Sequence, residues 1–471
     1  MQKLVTEITS QKIDFAQWYS DICLKAKLME YTSSKGFIIY LPYGFRIWEL
    51  IQSYLNKEFQ KGGRQNVYFP LVIPESLFNK EKDHVEGFAP EVALISKAGG
   101  DDLSDRLVVR PTSEVLFCEY YKNRIQSYRD LPLKFNQWCS VVRWEKTTRP
   151  FLRGKEFLWQ EGHTIHETAS EAKKETLDVL KIYKKLGSDF LAIPFTTGKK
   201  TDREKFAGAK ETYAIEALMP DGKALQSGTT HFFGTNFSEA FDIKFSDKEG
   251  NLKYANQSSW GVSTRLIGAI IMVHGDDNGL VLPPYVAPIQ VRIIPIGKEE
   301  IVAKTTRQIY NSLKSKFRID VDDSAKTPGF RFSECEMLGI PIRIEFGLRD
   351  IEKNQVTIVT RHDHHKEIIL IKDLKTKLVQ LLPNIHSEMY NKACDYLARN
   401  TYTANSIQEF ETFINKGGYV KAYISNEDAE VFLKNKFAAT ARVILDEKVI
   451  RQKCIVSNSD AKYCILFARA Y

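Results

Sequence analysis

The sequence predicts an α+β fold: an antiparallel sheet flanked by helices, then a small α/β domain, then a third unit of mixed periodicity. Strand-like runs recur at 105–110, 134–145, 156–166, 223–234 and 238–245, separated mostly by turn signals rather than crossover helices. After the Pro-rich stretch "LPPYVAP" at 282–288 the grammar changes to strands alternating with helices. The length of 471 residues exceeds one core and suggests about two to four domains of roughly 100 to 200 residues each.

Taken in order, "DFAQWYSDICLKAKLMEY" (14–31) reads as an amphipathic helix, and "FRIWELIQSYLNKEFQK" (45–61) as a second with Trp48, Ile51, Leu55 and Phe59 on one stripe. "NVYFPLVIP" (66–74) reads as a strand whose Pro70 limits its place in a sheet. "STRLIGAIIMVHG" (263–275) is a helix that closes the first part. Beyond the junction come "IQVRIIPIG", a helix, "RIDVDDS", a helix, "IPIRIEFG", "QVTIVTR" and a helix. The third unit runs from about 395 to the end, with no internal repeat and no low-complexity tract.

Composition bounds the setting. Hydrophobic residues at 43% can fill such cores, and 27% charged residues is ordinary for a soluble chain. The excess of 67 Lys and Arg over 59 Asp and Glu suits a patch that meets a polyanion, and equally a merely soluble surface. Seven cysteines without a CxxC pair fit reduced thiols of the cytosol. The start lacks an apolar signal core, and no apolar run approaches the roughly 20 residues that span a bilayer.

The densest chemistry lies in "RWEKTTRPFLRGKEFLWQEGH", residues 143–163. Read as a hairpin with strands near 140–145 and 156–164, it puts Arg143 and Glu145 on one face, and Phe157, Trp159, Glu161 and His163 together on one face of the partner. Charges beside aromatic rings make a poor core and a good pocket floor. The alternative is a solvated face of cross-strand ion pairs. In "WGVSTRLIGAIIMVHGDDNGL" (260–280), Ser263 or Thr264 can cap the helix, so Arg265 falls in the first turn, where the macrodipole repels a cation. An anion at that spot would resolve the conflict; a side chain snorkelling to solvent would too. Two arginines aimed at one anion, with a ring to stack on, describe a nucleoside triphosphate site without a Gly-rich loop.

These residues resemble the class II aminoacyl-tRNA synthetases, and among them the prolyl-tRNA synthetases of the archaeal and eukaryote-like branch. Motif 1 is similar to "GFIIYLPYGFRIWELIQSYLNKEF" with "NVYFP", motif 2 to 143–163, and motif 3 to "GVSTRLIGAIIMVHGDDNGLVLPP". "HVEGFAPEVA" (84–93), "RPTSE" (110–114), "QSGTTHFFGTNFS" (226–238) and "ECEMLGIPIRIEFGLRD" (334–350) are further family blocks. The resemblance covers nearly the whole chain.

The resemblance implies a catalytic domain at 1–284, an anticodon-binding α/β domain at 285–390 and a C-terminal unit like the family's zinc domain at 391–471. It implies ATP-dependent attachment of L-proline to tRNA(Pro) through a prolyl-adenylate, with Mg²⁺. Arg143 would hold the α-phosphate and the substrate carboxylate, Glu145 the adenine amino group and Arg153 the γ-phosphate. Phe157 and Arg265 would sandwich the adenine, with Ser263 beside them, and Gln226 and Thr229 would line the ATP and metal region. Thr112 and Glu114 would accept from the proline ammonium, and Trp159, Glu161, His163, Phe206 and His231 would shape its pocket. Capping of the helix that follows explains Thr112 and Glu114 equally well, and both histidines could be satisfied core residues. Glu336, Arg343 and Arg349 would contact anticodon bases, or form a surface ion-pair cluster.

Three absences are also expected. Relatives carry four cysteine ligands in the C-terminal unit, but here Ile424, Ala429 and Ser457 stand at three of those places and only Cys454 remains, so no zinc is expected. The interval from His166 to Gln226, about 60 residues, is too short for the inserted editing domain of bacterial-type relatives, and nothing precedes the catalytic start. No membrane contact is expected, and a cytoplasmic homodimer is. The nearest rivals are threonine, serine or glycine synthetases, disfavoured by "RPTSE" with "QSGTTH", and a silent RNA-binding paralogue, which has no need of an ATP pocket.

Overall fold

The computed structural model describes residues 8–84 and 91–471, so part of the block at 84–93 and the first seven residues lie outside the described residues. Hydrophobic stripes set the helices. The second helix, Pro42–Lys61, starts with Pro at its first position and buries Ile47, Trp48, Ile51, Leu55 and Phe59 along one face. The first helix is shorter than its sequence pattern: Phe15–Lys25 is capped by the Asp14 carboxylate and stops before Lys27, which takes a left-handed φ of 56°, after which Met29–Tyr31 is a strand.

The helices pack on an eleven-stranded sheet. Its antiparallel centre runs Thr196–Lys199, Glu211–Leu218, Ala224–Gly234, Asn256–Ser263, Glu156–His166 and Leu133–Val142. Strands of the C-terminal unit, Thr401–Ala404, Tyr419–Ile424, Tyr463–Ala468 and Thr440–Asp446, continue the same sheet through an Ile444–Lys199 bridge. The last residue closes on the centre: the Tyr471 hydroxyl donates to Asp221 at 2.7 Å and its backbone N–H to the Ala224 carbonyl at 3.1 Å.

A separate five-stranded sheet has Val291–Pro295 between two parallel partners, Ile319–Val321 and Ile342–Phe346, followed by antiparallel Gln355–Thr360 and Lys366–Leu370. The Pro-rich junction before it is no open linker. Pro284 and Ala287 are buried, and Arg318 donates to the carbonyls of Pro284, Tyr285 and Ala287 at 2.8–2.9 Å.

Two strand assignments need correction. Residues 66–74 do not form one strand: Gln65–Asn66 and Val72–Pro74 belong to different sheets, with Pro70 between them unable to donate to a ladder. Residues 238–245 begin within a helix, Asn236–Phe241, and only Lys244–Ser246 is strand. Phe237, Ser238 and Phe241 are buried together, a spacing of three and four that fits a helix turn rather than alternation.

Candidate active site

The hairpin of 133–142 and 156–166 is antiparallel, with Val142 opposite Glu156 and Gln137 opposite Glu161. Its first strand ends at Val142, so Arg143 and Glu145 stand in the loop rather than on a strand face. A tight turn, in which the Glu145 N–H donates to the Arg143 carbonyl at 2.7 Å, connects the two. Phe157, Trp159, Glu161 and His163 do share one face, and it floors a cavity of about 320 Å³.

That cavity brings together Thr112, Glu114, Arg143, Phe157, Trp159 and Glu161 with His163, Phe206, Gln226, Thr229, His231, Ser263 and Arg265. Glu145 and Arg153 lie in an adjoining cleft that also touches Arg143, their charged atoms 3.9 Å apart. Glycine matters at one point on the floor. A Cβ on Gly162 would come within 2.0 Å of the Trp260 indole opposite it, so only a bare backbone lets that ring lie flat.

Arg143 and Arg265 are held by neutral oxygens. Arg143 Nε donates to the Pro111 carbonyl at 3.0 Å, and its guanidinium lies 5.5 Å from the Phe157 ring centroid and 5.4 Å from that of Trp159. Arg265 donates to the carbonyls of Leu152 at 3.0 Å and Gln226 at 3.1 Å, and its backbone N–H to Ser263 Oγ at 3.2 Å. Among the described residues no carboxylate pairs with Arg265. Burial, with repulsion from Arg153 and Arg143, lowers its pKa to about 10. Burial also lowers that of Arg143. Two half-buried cations with no carboxylate in ion-pair contact among the described residues are poised for an anionic ligand.

The deeper end differs. Glu161 receives Ser113 Oγ at 2.5 Å, Gln137 Nε2 at 2.8 Å and pairs with His163 Nε2 at 3.0 Å. Burial pushes its carboxyl up, but these bonds and the His163 charge outweigh it and hold it below its ordinary value. Burial likewise opposes the imidazolium of His163, and Glu161 and Glu114 overcome it, raising the pKa. His231 sits between Thr212 and Thr229 hydroxyls at 3.0 and 2.9 Å, and burial lowers it to about 3, so it is neutral. Capping does not explain Thr112, although Glu114 does stand in the first turn of the helix as an acid there would. The cap position of helix Glu114–Arg124 belongs to Ser113, whose side chain caps nothing, while the Thr112 hydroxyl donates to the Glu114 carboxylate.

Sequence reasoning missed Ser113 and Gln137, which hold Glu161, along with Thr212 and Trp260. Gln137 was within reach once a hairpin was drawn, because it lies directly across from Glu161.

Farther off, Arg343 is clamped by Glu336 at 2.8 Å and by Glu345, and lies 4.7 Å from the Phe332 ring centroid. Arg349 is exposed on the short helix Leu348–Glu352, outside that cluster. In the C-terminal unit, Ile424, Ala429 and Cys454 are buried in one apolar cluster, while Ser457 hydrogen-bonds to Ser425 at 3.2 Å and Ser459 at 2.7 Å.

Residues 94–274 match the family described as tRNA synthetase class II core domain (G, H, P, S and T), and 290–381 match an anticodon binding domain. With the antiparallel sheet and the arginine-lined cavity, they define a class II aminoacyl-tRNA synthetase. Residues 407–471 match the C-terminal domain of prolyl-tRNA synthetase. A proline--tRNA ligase of Onion yellows phytoplasma is 54% identical over 100% of this chain and 99% of its own length, and proline--tRNA ligase 2 of Bacillus cereus is 52% identical over 99% of each. A crystal structure of the Cryptosporidium parvum prolyl-tRNA synthetase, complexed with halofuginone and AMPPNP, superposes with a TM-score of 0.95 at 38% identity, covering 99% of this chain and 100% of that one. The chain belongs to the prolyl-tRNA synthetase family.

Proposed function

We propose the following division of labour for a ligase that joins L-proline to tRNA(Pro) with ATP through a prolyl-adenylate. The observation that carries it is one cavity lined by two half-buried arginines that make no ion pair in it and by a Glu114–Glu161–His163 set. Arg143 takes the α-phosphate and the proline carboxylate; Arg153 takes the γ-phosphate. Glu145 accepts from the adenine amino group, and the base lies between Phe157 and Arg265, with Ser263 alongside. Thr112 and Glu114 receive the ammonium, and Trp159, Phe206 and His231 bound the ring. The carboxylate attacks the α-phosphate in line while the arginines neutralise the charge that develops, and pyrophosphate leaves. A terminal ribose hydroxyl of the tRNA then attacks the mixed anhydride. No side-chain nucleophile is required.

Class II synthetases use ATP and Mg²⁺. The local donors, the Gln226 and Thr229 side-chain oxygens, are hard oxygens of the kind that hold this ion beside phosphates. When bound, it would add positive charge at the triphosphate.

The reading extends to the whole chain. Units at 1–284, 285–390 and 391–471 are supported by one family match falling in each. Glu336, Arg343 and Arg349 form the anticodon contact, Arg349 being the arginine with its side chain exposed. The archaeal and eukaryote-like layout is supported by the interval 166–226, which helix Ala169–Leu186 and strands Thr196–Lys199 and Glu211–Leu218 occupy without an inserted domain. The bacterial relatives share this layout at full length. Exposed Ile39 and Phe45 on the motif 1 segment, with Tyr31 just before it, favour a homodimer, which light scattering would deny by returning the 54.1 kDa of one chain. A cytoplasmic setting accords with seven cysteines free of disulfides. Among the described residues no helix is long and apolar enough to cross a membrane.

ATP–pyrophosphate exchange assayed with each of the twenty amino acids tests the assignment. Proline is expected to drive rapid exchange without tRNA. Alanine comes next, because a missing methylene is worth only about 1 to 3 kcal/mol and no editing module removes the product. Alanyl-tRNA therefore accumulates; its rapid hydrolysis by the purified protein would refute the missing module, and exchange driven best by threonine, serine or glycine would overturn the substrate.

The C-terminal unit holds no zinc in this reading. Tetrahedral zinc needs about four donors, whereas Ile424 and Ala429 fill that place with apolar packing around Cys454. Elemental analysis of protein purified without chelator is expected to find well under one zinc per chain, with EDTA leaving the melting temperature unchanged. Stoichiometric zinc would contradict it.

A further inference from the structure

Glu216 is fully buried in strand Glu211–Leu218, paired with two cations and with a third nearby. Lys200 Nζ donates to it at 2.8 Å. Arg442, from strand Thr440–Asp446 of the C-terminal unit, grips both its oxygens: Nη2 at 3.0 and 2.9 Å and Nε at 3.2 Å. The third cation is Arg265. Glu216 lies directly across the ladder from Gln226, and the Gln226 carbonyl is the group to which Arg265 Nη1 donates at 3.1 Å. The Glu216 charge reaches Arg265 and offsets part of its burial. Glu216 and Arg265 share no ion pair; Arg442 and Lys200 occupy the carboxylate.

We propose that Arg442 is a positioning residue for ATP: by holding Glu216 in a two-pronged grip, it keeps that carboxylate from becoming the partner of Arg265 and so leaves Arg265 open to the nucleotide. The C-terminal unit is thereby a working part of the catalytic site, not an appendage. The argument is one of competition. A buried carboxylate stripped of one of its two cations seeks another, since an uncompensated charge in the interior is costly. Arg265, held only by carbonyls, is the cation available. An internal Glu216–Arg265 pair would compete with ATP for the same guanidinium. Proline, bound at the far end of the cavity, would be little affected.

This rests on the reading that Arg265 binds ATP, so Arg265→Ala is the control: a wild-type KM for ATP in that variant sinks the reading itself, whatever Arg442 does. Exchange kinetics on the full chain test the new step. Arg442→Met is expected to raise the KM for ATP about tenfold while the KM for proline moves less than about twofold. Adding Glu216→Gln to Arg442→Met removes the competing charge and is expected to return the KM for ATP to within about twofold of wild type, although both cavities in the packing remain. A merely structural role predicts the opposite, a double variant no better than the single. That result, or a wild-type KM for ATP in Arg442→Met, overturns the proposal. Should Arg442→Met not fold, Arg442→Gln, which stays polar but removes the cation, carries the same comparison with and without Glu216→Gln. An unchanged KM for ATP in Arg442→Gln would then overturn it equally.

Discussion

Alanine at Arg143 or at Arg265 lowers proline-dependent pyrophosphate exchange by at least about 10² to 10³, the cost of removing one preorganised charge donor from a transition state. The two losses should differ in kind. Arg143 touches the cavity from the side shared with Glu114 and the adjoining cleft, so its removal falls on kcat and on both substrates. Arg265 lies on the Gln226 side, against carbonyls and Ser263, so its removal falls chiefly on ATP. Neither loss follows from collapse of the fold, because each guanidinium is bonded to carbonyls and supports no carboxylate by direct contact. Wild-type-like exchange in both variants, with unchanged melting temperatures, would remove the phosphate site from this cavity.

The parts legible in the sequence were those set by short-range periodicity. Phe157, Trp159, Glu161 and His163 alternate, and alternation in a strand is enough to put them on one face. Helix Arg265–His274 was legible for the same reason, and the awkward first-turn arginine pointed at an anion. Failures came where neighbours are set by the fold. The helix Asn236–Phe241 is too short for its period to be told from a strand, and strand Lys366–Leu370, at the sheet edge with three exposed positions, gives little hydrophobic contrast. Ser113 reaches Glu161 across 48 positions, and Arg442 reaches Glu216 across 226. No local pattern can announce such pairs; they exist only because the C-terminal strands extend the catalytic sheet.

The second large effect is expected at Glu114. Both carboxylates of the deep pocket could receive the proline ammonium, but their hydrogen-bond capacity differs. A carboxylate offers about four acceptor positions, and Glu161 has given its oxygens to Ser113, Gln137 and His163. Glu114 receives the Thr112 hydroxyl and keeps room for a cation. Glu114→Gln preserves the shape and removes the charge of a buried carboxylate, so the ammonium loses its counter-ion. Truncating one partner of such a buried charged pair costs about 2 to 5 kcal/mol, or about 10² to 10³ in kcat/KM for proline near the middle of that range. The KM for ATP should stay within a few-fold, because the phosphate-binding groups are untouched apart from a more weakly countered Arg143. Steady-state exchange with each substrate varied in turn separates the two. A loss shared equally between ATP and proline would mean that Glu114 acts through Arg143, and a wild-type proline response would move the ammonium to Glu161.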